Sequence, residues 1–141
     1  MNFKSYIVLI LILFLSRDII AQKKTTTIHI LNADKADYDE RLGKDIQRLI
    51  GNVVMRQDST YFYSDSAYYN EKTKFFDGFG NVHIEVNDST DIYSDLLKYN
   101  GNTKFAELFH NVVLKDDSTT LRTEYMTYDR VGHLATYPNK G

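Results

Sequence analysis

The chain of 141 residues has no cysteine, a single proline and no excess of basic charge. Without cysteine there are no disulfides, no thiolate metal sites, no cysteine nucleophile and no lipid-modified N-terminal cysteine. An exported chain of this composition must hold itself together by backbone pairing and packing alone. The shortage of proline, set against 11 Tyr and 8 Phe, favours strands over helices or disorder. Only residues 39–50 could be read as helical, and Gly43 weakens that reading. A formal net charge of −2 offers no concentrated basic patch for nucleic acid.

Chemistry-bearing patterns are equally scarce. There is no Gly-x-Ser-x-Gly elbow and no glycine-rich phosphate loop. His29, His83, His110 and His133 do not pair at metal-ligand spacing, whereas zinc needs three or four converging ligands. Calcium-binding nine-residue repeats are missing as well. The expectation is a protein without enzymatic activity, metal or cofactor.

What is present begins with a leader. Lys4 precedes an unbroken apolar run from Tyr6 to Leu15, and a short stretch then ends at Ala21-Gln22. This pattern predicts a cleavable signal peptide over residues 1–21 and a single domain over 22–141, exported to the periplasm. The alternative is an uncleaved inner-membrane anchor. A spanning helix needs roughly 20 apolar residues, and Arg17-Asp18 interrupts this one early.

The remainder is a repeat. Gly51-Asn52-Val53 recurs as Gly80-Asn81-Val82 and as His110-Asn111-Val112; Asp58-Ser59-Thr60 recurs as Asp88-Ser89-Thr90 and Asp117-Ser118-Thr119. A further block aligns on four acids: Asp34, Asp65, Asp95 and Glu124. An apolar residue lies three before each, a small one immediately before, and a tyrosine four after: Tyr38, Tyr69, Tyr99 and Tyr128. A turn former follows directly, as Asp39, Asn70, Asn100 or Asp129. The unit is about thirty residues, in three full copies and a leading half copy, and such units bury their apolar faces only by stacking.

Side chains two apart on a strand share a face. The small residue before each acid and the apolar one two after it are three apart, so an inward pattern continues only if the chain bends at the acid. Asp34, Asp65, Asp95 and Glu124 are therefore expected as structural corner residues whose carboxylates accept backbone N–H groups freed by the bend. After each Asn-Val the alternation is clean, with Val53, Met55, Val82, Ile84, Val86, Val112 and Leu114 on one face. Phe62 and Ile92 precede the acids, and Tyr69 and Tyr99 follow them, in the same inward register. Columns of equivalent residues, stacked at a strand spacing of roughly 4.8 Å, would line an apolar seam between two walls.

The order of these motifs, from Ile28-His29-Ile30 and Ala33-Asp34 through the Gly-Asn-Val starts and the apolar-x-small-Asp blocks, resembles the OstA-like (organic solvent tolerance) family of lipopolysaccharide-transport proteins, which includes LptA and LptC. The resemblance spans residues 28–136. It implies an all-β, repeat-built, twisted β-jelly-roll or β-taco, solenoid-like, of about three and a half coils. It also implies a periplasmic bridge component of outer-membrane assembly. Lipopolysaccharide or a related glycolipid would place its acyl chains in the seam, against inward candidates Val53, Met55, Phe62, Tyr69, Val82, Ile84, Ile92, Tyr99, Val112 and Leu114. Partners would be other OstA-like bridge proteins joined through edge strands, or further copies added head to tail. The competing readings are a structural or scaffolding β-solenoid with a filled core, and an inner-membrane-anchored LptC-like partner.

Overall fold

The computed structural model describes residues 27–138. The expected leader therefore lies outside the described residues. Among the described residues, nine strands form one antiparallel sheet: β1 (His29–Asn32), β2 (Lys35–Tyr38), β3 (Ile46–Gln57), β4 (Thr60–Asn70), β5 (Phe75–Asn87), β6 (Thr90–Asn100), β7 (Phe105–Lys115), β8 (Thr120–Asp129) and β9 (Leu134–Thr136). From β3 to β9 each strand pairs with its neighbour in sequence, while β1 and β2 share the free side of β3. Each thirty-residue repeat is thus a pair of long strands, and equivalent residues recur on every second strand rather than on adjacent ones. The segment between β2 and β3 makes turns, not a helix. Leu42 and Gly43 donate back to the Asp39 and Glu40 carbonyls, but Gly43 has φ 127°, which no helix accommodates.

Two kinds of turn separate the strands, and both follow from local side-chain chemistry. After the repeat tyrosines, the Asn70, Asn100 and Asp129 side chains each accept two backbone amides of the turn they start. At the opposite end, β3 and β4 are joined through Asp58-Ser59, with Asp58 at φ 55°.

Every long strand bends at its middle. In β3 the pair Gly51-Asn52 faces the single Asp65 of β4, in β5 Gly80-Asn81 faces Asp95, and in β7 His110-Asn111 faces Glu124. All six bulge residues have positive φ, from 46° to 80°, the region that glycine enters freely and that Asn and His tolerate better than most. On the intervening strands, Ser64, Ser94 and Thr123 donate their hydroxyls to the carbonyls of Ser66, Leu96 and Tyr125, each bridging one acid. This explains why a small hydroxyl residue precedes each of these acids. Inward parity shifts at the same point: Ser94 and Leu97, three apart, are both buried.

The bends divide the sheet into two walls. One contains the halves Val53–Gln57, Thr60–Ser64, Val82–Asn87 and Thr90–Ser94; the other contains Ile46–Ile50, Ser66–Asn70, Phe75–Phe79 and Leu96–Asn100. Phe62 of the first wall meets Phe76 and Tyr99 of the second, with ring centroids 5.2 and 4.6 Å apart. Offset and edge contacts at these distances are favourable aromatic geometry. The leading half copy behaves differently from the others. Leu31 and Tyr38, equivalents of buried residues further on, are exposed, Tyr38 to 64%. A short edge strand covered on one side only cannot enclose them. Among the described residues, no helix is long and apolar enough to cross a membrane.

Candidate functional site: the seam between the walls

All ten inward candidates lie in one buried apolar cluster: Val53, Met55 and Phe62 on β3 and β4, Tyr69 on β4, Val82 and Ile84 on β5, Ile92 and Tyr99 on β6, and Val112 and Leu114 on β7. The cluster also contains Leu49, Phe76, Val86, Ala106 and Leu108. In the segments carrying Phe75, Phe105 and Leu134, these apolar residues face out, and Phe76, Ala106 and Ala135 take the inward positions. The strand parity of β5, β7 and β9 sets that choice.

The seam has one polar end. Gln57, at the tip of the first wall, is fully buried and donates its side-chain amide to the Gly101 carbonyl at 2.8 Å. Tyr99 donates its hydroxyl to Gln57 Oε1 at 2.6 Å, and Arg130 Nη1 donates both to that oxygen (3.0 Å) and to the Tyr99 hydroxyl (2.6 Å). Asp58 pairs with Lys104 and lies 3.6 Å from Arg130 Nη2. The guanidinium also sits 5.9 Å from the centre of the Phe62 ring, a cation–π distance. Burial pushes the Tyr99 phenol up to about 12, and Arg130 opposes the shift only partly. These contacts join the β3–β4 turn to the turns after β6 and β8, pinning one wall to the other.

Two residues of this clasp, Gln57 and Arg130, depart from the repeat. Gln57 stands where Asn87 and Asp116 precede the other Asp-Ser-Thr triplets, and its extra methylene extends the amide. Arg130 stands where Glu71 and Gly101 occupy the earlier copies. Sequence reasoning aimed at what the copies share passes over both. On the neighbouring copy, the buried Tyr69 hydroxyl has no hydrogen-bond partner, and burial raises the Tyr69 phenol. An orphaned buried hydroxyl costs about 1–3 kcal/mol.

The four acids lie on the outside. Asn52, Asn81 and Asn111 donate their side-chain amides to Asp34, Asp65 and Asp95 at 2.9, 2.8 and 2.7 Å. The side-chain partners of those three carboxylates are thus bulge asparagines, rather than the backbone amides expected, because each bulge turns its Asn towards the acid of the preceding strand. Glu124 has His110 Nδ1 at 3.8 Å instead. On the outer face of the first wall, Tyr63, His83 and Tyr93 stack across β4, β5 and β6, and His83 Nε2 lies 2.6 Å from Asp91. Among the described residues no group of His, Cys, Asp or Glu is arranged to hold a metal ion.

Both sheet edges carry unfinished pairing. β9 pairs only with Thr127–Asp129, so the Thr120–Thr123 half of β8 has a strand on one side alone. Beside it lies a cleft of about 610 Å³ lined in part by Val113, Arg122, Tyr125 and Tyr137. The other edge is formed by the short strands β1 and β2.

The OstA-like protein family profile matches residues 25–141. No curated protein sequence matches the chain. Among solved structures, the chain is similar to LptH of Pseudomonas aeruginosa, described as the LptA-homologous periplasmic component of the conserved lipopolysaccharide transport device. The TM-score is 0.66 at 17% identity, covering 78% of this chain and 80% of that one. At such identity the likeness establishes the fold, the twisted β-jelly-roll. With the family profile spanning all nine strands, the chain belongs to the OstA-like protein family.

Proposed function

We propose that the protein is a periplasmic component of a lipopolysaccharide-transport bridge, exported by a cleaved leader, that holds glycolipid acyl chains between its two walls. The observation that carries this reading is the seam itself. Apolar side chains from β3 to β8 form one continuous inner surface, closed at the mouth by polar contacts rather than by further packing. Membership of the OstA-like family and the LptH-like fold support it. The orphaned Tyr69 hydroxyl supports it further, since phenylalanine would serve a permanently closed core better. In this reading the ten inward residues contact acyl chains once the walls part. The corner acids Asp34, Asp65, Asp95 and Glu124 shape the bends that make the walls. The unpaired half of β8 and the β1–β2 edge receive neighbouring bridge proteins or further copies by strand addition.

A second reading, a structural β-scaffold with a filled core, draws on one observation: the inner side chains already pack against one another, as Phe62 does against Phe76 and Tyr99. Calorimetric titration separates the two. The transport reading expects binding of intact lipopolysaccharide with a negative heat-capacity change, and none of the delipidated polysaccharide. Equal binding of both, or of neither, leaves the filled scaffold.

A further inference from the structure

Resting on the transport reading, a second inference concerns how the seam opens. The clasp holds two cations and one acid. Lys104 and Arg130 are nearly covered, with side chains 12% and 8% exposed, whereas the Asp58 side chain between them and solvent is 29% exposed. The remaining partners of Arg130 are neutral: the Gln57 side chain and carbonyl and the Tyr99 hydroxyl. Among the described residues, neither cation has a second carboxylate within ion-pair distance. One positive charge therefore stands uncompensated where polar contacts give way to the apolar interior, and the only anion opposing it is the most exposed member of the group. Gln57 and Arg130 are also the positions at which the repeat breaks its own pattern.

We infer that the Asp58–Lys104–Arg130 cluster is an exchange lock for a phosphorylated headgroup. A phosphate of the amphiphile takes Lys104 and Arg130 from Asp58, and that exchange parts the walls for the tails. The chemistry favours the swap. A phosphate group offers more negative charge and more acceptor oxygens than one carboxylate, and a guanidinium can bind it through two parallel N–H bonds. The Asp58 carboxylate is already 29% exposed, so water can solvate it once it is released and offset part of the lost ion pairing. Phosphate at the mouth and acyl chains in the seam is also the geometry that an amphiphile's own connectivity requires.

The test compares three probes on the exported protein: lipid A with its phosphates, the same lipid after dephosphorylation, and inorganic phosphate. The wild type should bind phosphorylated lipid A at least about tenfold tighter than the dephosphorylated form, a difference of about 1.4 kcal/mol. Arg130→Gln should bring that ratio close to one, and Arg130→Lys should retain part of it. Asp58→Asn, which removes the competing acid, should tighten phosphorylated lipid A more than dephosphorylated lipid, a gain that misfolding cannot imitate. Equal affinity of the wild type for both lipids overturns the lock but leaves the transport reading standing. So does an unchanged ratio in Arg130→Gln, or inorganic phosphate that competes as strongly as the phosphorylated lipid. Failure of the wild type to bind either lipid overturns both.

Discussion

The bends can be tested at a single glycine. Gly80 has φ 75°, and a Cβ placed there would sit 2.5 Å from Asp65 Oδ2. A side chain in the left-handed region costs about 1–2 kcal/mol. Asp65 would also have to rotate away, weakening its bond from Asn81, which at an exposed site contributes up to about 1 kcal/mol. Gly80→Ala should therefore lose about 2–3 kcal/mol, or about 8–12 °C in Tm at about 4 °C per kcal/mol for a domain of this size. The third copy supplies an internal control, because His110 occupies the equivalent place at φ 65° and its neighbour Asn111 still reaches Asp95. His110→Gly relieves strain but adds freedom to the unfolded chain, so its change should stay within about 1 kcal/mol. Thermal unfolding followed by circular dichroism measures both. A Gly80→Ala protein that melts with the wild type, or a His110→Gly protein that falls as far as Gly80→Ala, would refute the account of the bends.

Two further predictions follow from the seam. Leu97 and Leu96 are adjacent on β6, the first buried in the cluster and the second turned outward. Leu97→Ala should cost about 2–5 kcal/mol in urea unfolding and Leu96→Ala about 1 kcal/mol or less; equal costs would mean the parity is misassigned. The Tyr99 phenol is raised from 10.0 to about 12 in the folded protein. The stability tied to its neutral form is present in full below pH 10 and lost as pH climbs through about 12, on the order of 2–3 kcal/mol. Tyr69 and Tyr128, also raised chiefly by burial, act in the same direction. Tyr99→Phe should flatten part of this alkaline decline while costing about 1–2 kcal/mol near neutrality; an unchanged slope in urea melts taken across that pH range would contradict the burial of the hydroxyl.

Much of this architecture is written in the repeat. Period-two alternation after each Asn-Val identifies the inward side of β3, β5 and β7 because a strand buried on one face leaves no other pattern. The odd spacing across each acid likewise requires the bend. What the repeat does not state is how many strands one period makes, since thirty residues fit several short coils or one long hairpin; the Asx turns at Asn70 and Asn100 decide for the hairpin. Phe75 and Phe105 face out despite their hydrophobicity, because each begins a strand whose parity is fixed by its neighbours. The exposure of Tyr38 and Leu31 depends on what lies beyond the edge, which local sequence does not encode. The clasp is hardest to foresee. Gln57, Asp58, Lys104 and Arg130 meet across as many as 73 residues of sequence separation, and two of them, Gln57 and Arg130, differ from their counterparts in the other copies.

The central claim, that the seam carries acyl chains, is tested most directly by photocrosslinking in living cells. One probe replaces Ile84, buried inside β5, and a second replaces Glu85, its outward neighbour. Carriage predicts a lipopolysaccharide adduct at Ile84 and none at Glu85. A folded, exported protein that yields no adduct at Ile84, or equal adducts at both positions, would contradict it.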